Sequence, residues 1–162
     1  MSQVSLAEVL VKEAVILDAG HIRNKQMAFH CLASKFQQAG VIKNADQYIE
    51  SLEERENSGS TFMGNLIALP HGRSETVIKP AVGFIRCKEP FRYRSFDEEG
   101  DVRYVFMLAV SAGEEGSNEH LRVLASLARL LAHQEFIRKL DQVKTYEEML
   151  AGVRACQQEM EG

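Results

Sequence analysis

His71 stands in Leu69-Pro70-His71-Gly72 and is the first of several residues whose type and placement could carry chemistry. Leu69 precedes a proline and is pushed toward extended backbone. The spacing therefore predicts a strand that ends at Leu69, with Pro70 projecting His71 from its end. Gly72 has no side chain to block an approaching partner, and its N–H could face an anion; strand ends in α/β sheets are frequent ligand sites. Taken alone, Pro-His-Gly is a weak signal and more often marks an ordinary turn histidine. Arg55 has a guanidinium fork that can hold two oxygens of one anion, or it is a solvated arginine at a helix C-terminus, where the dipole favours a cation. His120 falls in the first turn of a predicted helix, where free backbone N–H groups favour anions, or it is a partly exposed first-turn histidine. His71, His120 and Glu75 could be combined as metal ligands, but no paired ligand spacing on one helix supports that. His21, His30 and His133 read as structural or exposed histidines.

Composition narrows the function classes. There are 19 Lys and Arg against 23 Asp and Glu, a formal charge of −4, which argues against nucleic acid because that partner demands a basic face. No stretch approaches the roughly 20 apolar residues of a membrane-spanning helix. The N-terminal MSQVSLAEVLVKE lacks the charged-then-apolar build-up of a signal peptide, so a cytoplasmic location is expected. Cys31, Cys87 and Cys156 lie far apart without metal-ligand spacing and are expected to be buried or half-buried thiols.

The elements that must position these residues fall into three stretches of one domain, residues 1–162. In the first, Ile22, Phe29, Leu32, Ala33 and Phe36 predict a helix over Ile22–Ala39 with Gly40 as its C-terminal cap. Ala14–Leu17 is a strand or the end of an earlier helix. A second helix covers Asn44–Arg55, with Asn44 or Asp46 as N-cap. The middle carries apolar runs at Leu66–Leu69, Ala81–Ile85 and Val102–Val110, each bounded by proline or glycine, which read as central strands. Lys88–Asp101, dense in charge, reads as a loop or a poor edge strand. The last third returns to helix: a stripe from Leu121 to Ala132 with Asn118 as N-cap, a continuation through Phe136, Ile137 and Leu140, and a final helix over Tyr146–Val153. In that last helix Thr145 and Glu148 have capping-box spacing. The fold class expected is an α/β sandwich, a short mixed β-sheet flanked by helices on both faces.

Three blocks in this order, "REN…ST…GNLIALPHG", "VFMLAV" and "NEHLRVLASLARLL", resemble the enzyme IIA components of the mannitol/fructose class of the phosphoenolpyruvate-dependent sugar phosphotransferase system. The resemblance runs from about residue 5 to residue 155. It implies a phosphotransferase component in which His71 accepts a phosphoryl group from the phosphohistidine of the carrier HPr, or a related paralogue. The group then passes to a cysteine of an enzyme IIB domain during sugar uptake. A nitrogen-related regulatory IIA protein, controlling protein partners without sugar transport, is the alternative. A neutral imidazole nitrogen near pH 7 suits either task, and no metal or other cofactor is implied. By the same resemblance Arg55 neutralises the phosphoryl charge, and His120 hydrogen-bonds that group or His71. Glu75 either orients the imidazole or is a solvated loop carboxylate. Ser60 and Thr61 either supply phosphate hydrogen bonds or bond local backbone. The chain departs from the family at Asp18–Arg23, where members often carry Ser or Thr plus Lys, and in the acidic stretch Gly113–Ser117, expected to shape partner contacts.

Overall fold

In the computed structural model, residues 6–161 are described, without the side chains of residues 114–117, 119, 120, 160 and 161. A short helix α1 (Leu6–Val9) leads into β1 (Leu10–Ala19), which resolves Ala14–Leu17 as strand. Helix α2 spans Lys25–Gln38, starting later than Ile22 because Asn24, whose side chain accepts from the Met27 N–H, is its cap. Gly40 ends it at a φ of 77°, with the Val41 N–H reaching back 2.9 Å to the Phe36 carbonyl. Only a glycine meets that backbone conformation without strain. Asn44 caps α3 (Ala45–Asn57) through the Gln47 N–H, as predicted.

The sheet is built from β2 (Phe62–Gly64), β3 (Ile67–Ala68), β4 (His71–Ser74), β5 (Ala81–Ser95) and β6 (Glu98–Ser111) together with β1. Its order is β1-β5-β6-β3-β2, with β4 also paired to β6. Strands β3 and β4 both run parallel to β6, at Tyr104–Val105 and at Leu108–Ser111. They are one interrupted strand. Proline has no N–H to donate to a ladder, and Leu69-Pro70 forms the break, although the Pro70 carbonyl still accepts from Leu108 at 3.0 Å. The strand therefore does not end at Leu69: His71 opens its second half.

Lys88–Asp101 is not a loop. It belongs to the long β5–β6 hairpin, with Phe91 opposite Val102 and Ser95 opposite Glu98. Phe91, Tyr93 and Ser95 point inward, while Arg92 and Arg94 point outward and pair with Glu99 and Asp101. A register shift between Arg86 and Phe91 absorbs Pro90.

Helices α4 (Glu114–Leu131), α5 (Gln134–Gln142) and α6 (Tyr146–Glu161) complete the chain. Helix α4 begins at Glu114 after Gly113, four residues before the expected Asn118 cap, so the acidic stretch forms its first turn. The Thr145 hydroxyl accepts from the Glu148 N–H, and the Glu148 carboxylate accepts from the Lys144 N–H, close to the capping-box pattern. The two faces of the sheet bury separate cores. Phe29, Leu32, Phe36 and Tyr48 of α2 and α3 cover one, and Leu127, Leu130, Phe136 and Val153 of α4–α6 cover the other. The expected sandwich is thus present, its sheet six-stranded. Cys87 and Cys156 are buried and Cys31 half-buried, all as free thiols. Among the described residues no helix is long and apolar enough to cross a membrane.

One contact in this frame sets the position of α3. A Cβ on Gly72 would lie 2.3 Å from Ser51 Oγ and 3.2 Å from both the Leu52 nitrogen and the Ser51 carbonyl carbon. The serine could rotate; the helix backbone could not. Gly72 is therefore a glycine so that α3 can lie against β4, a reason different from the partner approach expected of it. Tyr48 seats the same helix by donating to the Leu108 carbonyl at 2.5 Å. Gly72→Ala should push α3 outward and cost about 1–3 kcal/mol, the range for overpacking a tight site. Urea unfolding of the variant measures this, and wild-type stability would contradict the assignment.

Candidate functional site

His71 sits half-buried at the interruption between β3 and β4, and two neighbours fix its ring. Nδ1 lies 2.8 Å from the Leu69 carbonyl oxygen. A carbonyl only accepts, so Nδ1 carries the proton. Nε2 lies 3.1 Å from Arg55 Nε. A guanidinium N–H only donates, so Nε2 presents its lone pair. The two contacts together select one tautomer, with Nε2 as the nucleophilic atom. The Leu69 carbonyl is free for this because it sits at the break in the ladder, while the Leu69 N–H is held by the Thr61 carbonyl at 3.0 Å.

Arg55 comes from the last turn of α3. Its Nη1 donates to the Gly59 carbonyl at 2.7 Å, which leaves the guanidinium aimed along the His71 ring. Gly59, at a φ of 147°, turns the chain sharply after the helix and brings that carbonyl back. Arg55 is thus a held residue of the site and not a solvated helix-end arginine.

Burial is the main cause that lowers the His71 pKa from its usual value near 6.5. The Leu69 hydrogen bond opposes it, the Arg55 charge adds to it, and Glu56 pulls weakly upward. The folded state therefore binds its proton less readily than the unfolded chain does. Stability from this group is full above about pH 6.5 and is lost as pH falls from there through the lowered folded value. Titration of the His71 ring carbons by NMR should give a midpoint below that of an exposed histidine. A midpoint at or above 6.5 would contradict the burial argument.

The other predicted residues divide. Ser60 bonds locally, accepting from the Phe62 N–H. Thr61 is buried and turns its hydroxyl to the Glu56 carboxylate, not to the imidazole. Glu75 is exposed in the turn after β4, and the rise along the strand sets its Cα about 13 Å from that of His71. His120 is the seventh residue of α4, beyond the first turn whose N–H groups are free. The anion argument from that turn does not apply to it, and its side chain lies outside the described residues. Arg73, two residues after His71 in β4, donates to the Gly113 carbonyl at 2.6 Å and ties the strand to the start of α4.

Sequence reasoning missed Glu56. Its side chain is 2% exposed, yet its oxygens accept from four donors. These are the Thr61 N–H at 3.2 Å, the Thr61 hydroxyl, the Tyr93 hydroxyl at 2.6 Å and the Ser95 hydroxyl at 2.7 Å. Burial first, and then the Glu56 charge, push the Tyr93 hydroxyl far up in pKa, so that it stays a donor. Lys25 of α2 donates to Ser95 at 3.2 Å and closes the cluster. The signal available in the sequence was the alternation Phe91-Arg92-Tyr93-Arg94-Ser95, which puts Tyr93 and Ser95 on one inward face.

Comparison with known proteins agrees with this frame. The family described as "Phosphoenolpyruvate-dependent sugar phosphotransferase system, EIIA 2" matches residues 8–155. A mannitol-specific phosphotransferase enzyme IIA component of Bacillus subtilis is 31% identical, over 89% of this chain and 95% of its own. A nitrogen regulatory protein of Bradyrhizobium diazoefficiens is 34% identical, over 81% and 83%. The crystal structure of nitrogen regulatory protein IIA-Ntr from Neisseria meningitidis superposes with a TM-score of 0.77 at 29% identity, covering 91% of this chain and 97% of that one. Two longer curated relatives match over only 22% and 21% of their own length. With a matching model over nearly its whole length and relatives above 30% identity, the chain belongs to the EIIA 2 family of phosphotransfer components of the phosphoenolpyruvate-dependent sugar phosphotransferase system.

Proposed function

We propose that this chain carries a phosphoryl group on His71 Nε2, taken from the phosphohistidine of an HPr-like protein and passed to a cysteine of an enzyme IIB component. The observation that carries the proposal is the pair of contacts that leaves Nε2 as the lone-pair nitrogen beside a fixed guanidinium. As Nε2 attacks phosphorus, a new P–N bond forms and the P–N bond to the donor imidazole breaks, its electron pair returning to the donor ring. His71 keeps its Nδ1 proton, so positive charge grows on its ring, and the Leu69 carbonyl stabilises that charge through the existing hydrogen bond. Arg55 exchanges its bond to Nε2 for bonds to the phosphoryl oxygens, the two-oxygen geometry its fork favours. Both transfers need positioning and charge stabilisation alone. In this reading Thr61 works indirectly, through Glu56, and His120 is assigned to phosphate stabilisation as the resemblance implies. Exposed Met63 and Leu66 in the β2–β3 turn offer apolar surface to a docking protein.

Sugar uptake is the reading supported by the mannitol-specific relative, a phosphotransferase enzyme IIA component. The nitrogen regulatory relative and the IIA-Ntr structure favour a second reading, in which the phosphorylation state of His71 governs binding to other proteins. Incubation with phosphoenolpyruvate, enzyme I and HPr or its paralogue, followed by intact mass, tests the shared step: the expected product carries one added phosphoryl group. Subsequent addition of purified IIB domains separates the two readings, since only the first predicts that a IIB cysteine empties the histidine.

A further inference from the structure

We infer that Glu56 is the positioning residue of this site, the group that holds both contacts defining the reactive form of His71. The inference rests on the phosphocarrier reading above and extends it to a residue that does not touch the imidazole.

Two routes run from Glu56 to the ring, one from its carboxyl group and one from its backbone carbonyl. Along the first, Glu56 accepts from both the N–H and the hydroxyl of Thr61, fixing that residue in the segment that follows α3. The Thr61 carbonyl then accepts from the Leu69 N–H, and the Leu69 carbonyl accepts from His71 Nδ1. Along the second, Glu56 is the chain neighbour of Arg55, and its own carbonyl accepts from the Gly59 N–H at 3.1 Å. The Gly59 carbonyl in turn receives Arg55 Nη1, which aims Nε at His71 Nε2. One residue, its backbone held in place by the clamped carboxyl group, thus anchors the acceptor on one ring nitrogen and the donor on the other.

The remaining partners of Glu56 explain why it can serve as an anchor. Tyr93 and Ser95 lie on the inner face of the β5–β6 hairpin, so the carboxyl group is clamped to the most extensively paired strands of the sheet. A buried carboxyl with every donor aimed at it has one arrangement, and networks of this kind specify geometry when fully satisfied. The hydroxyls of Tyr93, Ser95 and Thr61 are bonded within the cluster, so its function is exerted through the backbone it holds.

Glu56→Gln and Thr61→Val test the inference. Glutamine keeps the shape of the side chain but turns an NH2 group toward hydroxyl and N–H donors. Valine removes only the hydroxyl of Thr61 and leaves Tyr93 and Ser95 on the carboxylate. Two measurements apply to each: nitrogen-15 NMR of His71, which reads the tautomer without any phosphoryl donor, and the rate of acceptance from the phosphorylated carrier. The expected result is a folded protein by heteronuclear NMR, a His71 ring that populates both neutral tautomers, and an acceptance rate about 100-fold lower, as a misplaced catalytic group gives. If Glu56→Gln does not fold, Thr61→Val decides. A folded variant with the wild-type tautomer and rate would overturn the inference. Failure of the wild-type protein to accept phosphate would instead count against the carrier reading, while the tautomer measurement would still stand.

Discussion

His71→Gln should abolish phosphoryl acceptance while leaving the fold in place. The phosphoryl group needs the Nε2 lone pair, and an amide offers no nucleophile of comparable strength. The substitution removes the ring's bonds to the Leu69 carbonyl and to Arg55 at a half-buried position, so stability should fall by about 1–3 kcal/mol. Intact mass after incubation with the phosphorylated carrier measures the first effect, and urea unfolding measures the second. A further consequence follows from burial. Wild-type stability falls in acid as the unfolded chain takes up a proton that folded His71 resists. The variant has no such group, so its stability relative to wild type should improve from pH 7 to pH 5. Phosphorylation of the variant at the wild-type extent would move the nucleophile to another residue.

Arg55→Ala should slow acceptance about 100- to 1,000-fold, the range seen when a fixed donor to developing anionic charge is lost. Three things go at once: the bond to Nε2, the charge opposite the incoming phosphoryl oxygens, and the anchor to Gly59. Arg55→Lys separates them, because an ammonium restores charge but not the planar fork, and should recover part of the rate. The His71 pKa offers an independent check: the Arg55 charge lowers it, so the alanine variant should titrate higher. Rapid-quench rates with the phosphorylated carrier, together with an NMR titration, measure both. An undiminished rate would remove Arg55 from the site.

The sequence carried the two residues in contact at the site and hid what holds them. His71 and Arg55 were legible through the resemblance of the blocks around them, since by local sequence alone each had an ordinary alternative, a turn histidine and a solvated helix-end arginine. Glu56 was not, because a glutamate in a helical "REN" resembles any solvated carboxylate until its partners are known. Those partners, Tyr93 and Ser95, lie in a segment whose charges suggested a loop; the charges are only the outward half of a hairpin. For Glu75, exposure in a turn fits the second of its two readings, the solvated loop carboxylate. A separation of four residues brings side chains together on a helix but places them about 13 Å apart along a strand, and β4 is a strand. Asn118 was a reasonable cap by residue type, yet the helix starts earlier, at Glu114, with Gly113 in the cap position.

The interrupted strand that frees the Leu69 carbonyl also governs how this protein can be approached. Strand β4 ladders with β6 alone among the described residues, so its other side is a sheet edge beside His71. Such edges invite association with stray chains. Here the edge is only four residues long and starts after a proline, while α3 covers the sheet face at Gly72. An edge this short offers an added strand few ladder bonds. The break that frees the Leu69 carbonyl for the imidazole therefore also leaves little edge for uninvited pairing beside His71.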